Sequence, residues 1–178
     1  MSGTAFGGSV TRVTTTQELP LGFQVTVPNG DSGLQTWVYV FNDSGAWEEG
    51  HVITMDVSEA SGAHNRFHGC LAPACEEGTP AILVLGVAQH TIADGSYGFI
   101  LKRGVGEVLA GAGGIPEQTD AGVGSICVDD ANDASGEAMG SVGLAATGEK
   151  YNCTIGFSLE NDAVADGAKA TCWIDIPG

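Results

Sequence analysis

Residues 81–111 read AILVLGVAQHTIADGSYGFILKRGVGEVLAG, and the rest of the chain is organised around them. An apolar run from Ala81 to Ala88 is broken only by Gly86. The chain turns through Ala93, Asp94, Gly95 and Ser96 and returns as Tyr97 to Lys102. An Asp–Gly pair between two strand-like runs signals a hairpin, because glycine supplies the positive φ such a turn needs. On the return limb Tyr97, Phe99 and Leu101 share one parity and therefore one face of a strand. Glycines at 86, 95, 98, 104 and 106 argue against a helix. The expectation is that Ala81–Ala88 and Tyr97–Lys102 are antiparallel neighbours joined through Asp94–Gly95, at the centre of an all-β domain.

The flanking sequence continues the pattern. Trp37, Tyr39 and Phe41 alternate with Val38 and Val40, so one face is aromatic and the other β-branched, and both should be covered. Turns are expected at Asn42–Gly45 and Glu48–Gly50, with a strand over His51–Val57. Residues 58–80 read as a loop. Further strand-like runs occupy 124–128, 141–146, 151–159 and 168–176. The spacing of turn signals predicts a small antiparallel β-barrel or sandwich. Residues 31–178 form this domain. Residues 1–30 read as an extended N-terminal arm, polar and glycine-rich, with isolated anchors at Phe6, Val10, Leu19, Leu21 and Phe23. Such an arm should be mobile alone and should order only on a partner, with Phe23–Val27 adding a strand to an exposed sheet edge. Phe6, Val10, Arg12, Leu19, Leu21, Phe23 and Val25 are accordingly the candidate contact residues.

Composition narrows the function. Twenty-two acidic residues against six Lys and Arg give a formal net charge of −16. Arg12 is the sole Lys or Arg before Arg66. A field of this sign repels phosphate backbones, so nucleic acid is not an expected partner. No apolar run approaches a membrane-spanning length, so a membrane is not one either. The first ten residues lack the basic and apolar regions of a secretory leader. With five cysteines, an odd number, thiols fit better than a disulfide framework.

Chemistry-bearing clusters are few. His64, His68, Cys70 and Cys75 are residue types that ligate zinc, but their spacing matches no common zinc motif. Zinc ligation, a Cys70–Cys75 disulfide and unligated loop residues all remain open. The acids Asp129, Asp130, Asp133 and Glu137 do not fit the EF-hand register. There is no nucleophile elbow around Ser125 and no phosphate-loop lysine after Gly111–Gly114. No enzyme, metal or cofactor is expected.

Two passages resemble a known family. Trp37–Phe41, a turn and then Gly50–Asp56 (GHVITMD) are similar to the opening of the capsid decoration, or cement, proteins of tailed phages. Leu85–Ile100 (LGVAQHTIADGSYGFI) resembles that family's hairpin, and Gly140–Ala146 (GSVGLAA) its recurrent small-residue strand. The resemblance spans about residues 35–147. It implies a structural virion protein, made in the host cytoplasm and placed on the capsid exterior. Its implied partners are the major capsid protein and copies of itself, as trimers, and it brings no catalytic residues. The alternative is a receptor- or carbohydrate-binding β-module of a fibre or tail accessory protein, with Trp47 or Trp173 stacking on sugar.

Overall fold

The computed structural model describes residues 8–56, 66–71, 83–111, 115, 125–128, 142–144, 154–160, 162–165 and 167–177. The described elements are β-strands, with one 3₁₀ turn at Gly30–Ser32. The strands are β1 (Gln24–Pro28), β2 (Leu34–Asn42), β3 (Val52–Met55), β4 (His68–Leu71), β5 (Val84–Val87) and β6 (Tyr97–Leu109). They continue with β7 (Ser125–Val128), β8 (Val142–Leu144), β9 (Thr154–Ser158) and β10 (Lys169–Asp175). Pairing in the order β2, β4, β3, β5, β6 and back to β2 closes a five-stranded barrel. The fold is therefore all-β, as expected. Outside the ring, β1 pairs with β2, while β10, β9, β7 and β8 continue the sheet from β6.

Strand β2 explains why both its faces are apolar. Val38 and Val40 point to one cluster, with Trp47, Ile53, Leu85, Ala88, Ile92 and Ile100. These residues come from β2, β3, β5, β6 and two connections, and together they fill the ring. Trp37 and Tyr39 point the other way, into a larger cluster with Phe99, Leu101, Val108, Ile126, Ile155, Cys172 and Ile174. That second core lies between the outside of the barrel and the strands beyond β6. One strand thus serves both cores, as the alternation predicts.

The central hairpin is present in a looser form than expected. Strands β5 and β6 are antiparallel, with Val87 opposite Leu101. Ala93–Ser96 is a turn, closed by Ser96 N–H donating to Ala93 O at 3.2 Å, with Gly95 at φ +69°. It does not join the strands directly, however. Ile92 is drawn off to bridge Trp47, so the connection covers residues 88–96. Asn42 holds this end of the ring. It is fully buried, and its Nδ2 donates to Gly45 O (2.7 Å) and Ile92 O (2.8 Å), while its Oδ1 accepts from Ser44 N–H (3.0 Å).

Two expectations are corrected. The stretch 58–80 is not simply a loop, because His68–Leu71 is β4, parallel to β2 and antiparallel to β3. Its Gly69 lies against Ile53 and the Trp47 ring, where a Cβ would come within 2.6 Å and 2.8 Å. The ring closes there because that position has no side chain.

The N-terminal segment is also not a free arm over its described part. Thr14 and Tyr97 exchange two backbone hydrogen bonds, at 3.0 and 2.7 Å. Val10, Leu19, Leu21 and Val25 pack against the larger core, and Val13 against the barrel cluster. The predicted edge strand exists, but β1 adds to this chain's own β2, with Val25 opposite Trp37. Apolar contacts along the segment offset the entropy that its composition alone would leave uncompensated. Deletion of residues 2–22 is therefore expected to cost about 3 kcal/mol or more. A urea titration checks this, and an unchanged midpoint would mean that the segment is dispensable to the core.

Candidate functional site

The seven contact candidates divide sharply. Phe6 lies outside the described residues. Val10, Leu19, Leu21 and Val25 are partly buried and pack against the chain's own core. Arg12 remains at the surface, paired with Glu18 at 2.5 Å and with 60% of its side chain exposed. Phe23 is 37% exposed while its ring meets Phe99 edge-on at 6.5 Å. Beside them Leu34, at the start of β2, is 62% exposed, an anchor that the sequence reading missed. Phe23 and Leu34 flank β1, whose outer edge faces away from β2 at the end of the sheet. Between residues 23 and 38 the only charged side chain is Asp31. In a chain of net charge −16 this is a sparsely charged, partly apolar strip with an edge strand.

The histidine and cysteine cluster resolves in part. His64 and Cys75 lie outside the described residues. His68 packs its ring on Phe41 with centroids 5.0 Å apart, and its Nδ1 is 3.8 Å from the Asp43 carboxylate. Cys70 is buried, with its Sγ 3.6 Å from Thr54 Oγ1. Cys172 is a second buried thiol, pushed up to about 12 by burial first and then by Glu107 and Glu160, so it is no nucleophile at neutral pH. Among the described residues, no group of three or more metal-capable side chains converges. The acidic run 129–137 lies outside the described residues.

A second polar region surrounds the Glu48–Gly50 turn. His51 Nδ1 accepts the Glu48 N–H at 3.1 Å, a bond that requires the unprotonated nitrogen. Both ring nitrogens of His90 are buried without a hydrogen-bond partner among the described residues, and its ring centroid lies 6.5 Å from that of Trp37. Burial holds His51 below its ordinary 6.5, with Lys169 assisting and Glu48 opposing. Burial also lowers His90, against the nearby Glu49. The Lys169–Glu49 ion pair ties this turn to β10.

Both histidines bind protons more weakly in the folded chain than in the unfolded one. Their contribution to stability is complete above about pH 6.5 and is lost as pH falls from there toward their folded values. Urea midpoints should therefore fall as pH is lowered below about 6.5, and His90→Gln should flatten the fall. A profile equally steep in the variant would exonerate His90.

The tryptophans separate the alternative reading. Trp47 is fully buried in the barrel, so it is not a stacking surface for sugar. Trp173 is half-buried on the outer face of β10, nearly parallel to Phe157 at 6.4 Å and 21°. No protein-family model and no curated protein matches the chain.

Proposed function

We propose that this chain is a structural binding protein of the capsid-decoration type, acting by docking on the outside of an icosahedral phage head and reinforcing it. The observation carrying this reading is where the motif glycines fall. A Cβ on Gly50 would stand 2.9 Å from the Leu109 nitrogen, one on Gly86 2.7 Å from Ile100, and one on Gly98 2.8 Å from Ile92. Three of the glycines behind the resemblance thus fall where an added side chain would collide with a neighbouring strand or core residue, while Gly95 supplies a positive-φ turn in open space. These close approaches support the resemblance.

In this reading the barrel is the rigid body and the sparsely charged strip around β1 is the docking edge. Phe23 and Leu34 supply apolar contact there, and Arg12 supplies a positive charge at the surface. The acidic remainder faces solvent, trimers form on the shell, and catalysis plays no part. The test is sedimentation of the purified protein with expanded, DNA-free heads, together with the temperature at which those heads disrupt. Co-sedimentation and a raised disruption temperature are expected, both weakened by Leu34→Ser with the free protein's melting unchanged. Absence of co-sedimentation at low and moderate salt would overturn the proposal.

A further inference from the structure

The outer face of β6, β10 and β9 carries a second feature, on the opposite side of β10 from its core-facing residues Ala170, Cys172 and Ile174. Strand register sets Val105 beside Trp173, and Trp173 beside Phe157. Phe157 is 36% exposed and Leu159, one row on, 45%. This makes a short apolar bar with an aromatic pair at its centre. One side of the bar is bordered by Arg103 and Asp175, opposed in register and 3.5 Å apart. The other side is bordered by Thr171. Its hydroxyl donates to Glu107 Oε1 at 3.3 Å, and its N–H donates to Glu160 Oε1 at 2.8 Å. Hydrogen bonding from Thr171, side chain first and then backbone, holds the Glu160 carboxylate below the ordinary carboxylate range.

The occupant follows from the shape of this chemistry. Among the described residues the bar is Val105, Trp173, Phe157 and Leu159, against the roughly 20–30 residues that a protein partner of standard size covers on each side. A pyranose matches it: a C–H face as wide as an aromatic ring, edged on all sides by hydroxyl groups that both donate and accept. Aromatic rings take the apolar face. Carboxylates and a guanidinium at the margins take the hydroxyls, as charge-assisted hydrogen bonds. With a net charge of −16 the chain disfavours anionic sugars, which leaves neutral ones.

We infer that the β6–β10–β9 face is a binding site for a neutral oligosaccharide, with a sugar ring against Trp173 and Phe157 and its hydroxyls between Arg103–Asp175 and Glu107–Glu160. This site is separate from the β1 edge and does not rest on the head-docking proposal. A decoration protein with both would hold a shell on one surface and a glycan on another.

Intrinsic fluorescence tests it directly, because Trp37 and Trp47 are buried at 4% and 0% exposure and Trp173 alone among the tryptophans reaches solvent. The full chain is screened on an array of neutral hexose and N-acetylhexosamine oligosaccharides, and the best binder is titrated while tryptophan emission is followed. A saturable change in emission is expected, with Phe157→Ala and Trp173→Ala each weakening binding about tenfold. Near-wild-type melting of Phe157→Ala keeps the result readable even if Trp173→Ala unfolds. A silent array, or affinity unchanged in Phe157→Ala, overturns the inference. So does concentration-dependent self-association that Phe157→Ala abolishes, since that assigns the face to a second copy of the chain.

Discussion

Replacing Trp47 with alanine is expected to remove about 3–5 kcal/mol of stability, the range for truncating a large aromatic in a core that cannot collapse. The side chain is fully buried in the barrel cluster with Val38, Val40, Ile53 and Ile100. Its backbone is pinned on both sides, since Trp47 N–H donates to Ile92 O at 2.9 Å and Ile92 N–H to Trp47 O at 3.0 Å. The wall beside it is Gly69, which has no side chain to move into the space. Trp47→Phe should cost less than half as much, because the indole N–H has no hydrogen-bond partner among the described residues to lose. Equilibrium urea unfolding of both variants checks the pair. A loss below about 1 kcal/mol for alanine would mean that the ring refills from its open ends.

Gly104→Ala is expected to cost about 2–5 kcal/mol, through a different mechanism. Arg103 is opposite Thr36 of β2 and also opposite Asp175 of β10, so β6 leaves the barrel and joins the second half of the sheet at this point. Gly104 makes that bend at φ +119°. A Cβ there would lie 2.7 Å from Leu34 O and 3.1 Å from Gln35 Cα. Backbone atoms cannot rotate aside as a side-chain tip can, so strain and overlap add. Gly95→Ala is the control. It also has positive φ, at +69°, but open space around it, so about 1–2 kcal/mol of strain is all it should show. Equal losses in the two variants would remove the overlap from the explanation.

Those two sites also show what was legible in the sequence. The alternation of Trp37, Tyr39 and Phe41 with Val38 and Val40 reported both cores, because side-chain parity is a local property of a strand. Turns at Asn42–Gly45 and Ala93–Ser96 were legible for the same reason. Gly104 and Gly106 counted only against a helix, and the return strand was expected to end at Lys102, yet β6 runs through both to Leu109. They are glycine because other parts of the chain come close, and sequence spacing does not encode that approach. Strand β4 was hidden similarly, since its four residues owe their conformation to β2 and β3 on either side. Trp47, between an alanine and two glutamates, carries no local mark of burial. Of the surfaces proposed for binding, Trp173 was singled out in advance, but Arg103 and Glu107 reach its neighbourhood only through pairing of β6 with the distant β10, and Glu160 through a turn in the chain.

The route by which the ring closes has a consequence for how the chain is made. Strand β2 completes its pairing only when β6 arrives some sixty residues later, and the far half of β6 waits again for β10 near the C-terminus. Neither join can be nucleated by a short hairpin, and the parallel β2–β4 contact needs a crossover of its own. Topologies dominated by such distant pairings fold on the order of milliseconds to seconds. On a ribosome adding about 5–20 residues per second, β6 would present an unpaired edge for several seconds before its last partner emerges. The excess of negative charge, spread along the same chain, keeps two such half-made molecules apart during that interval.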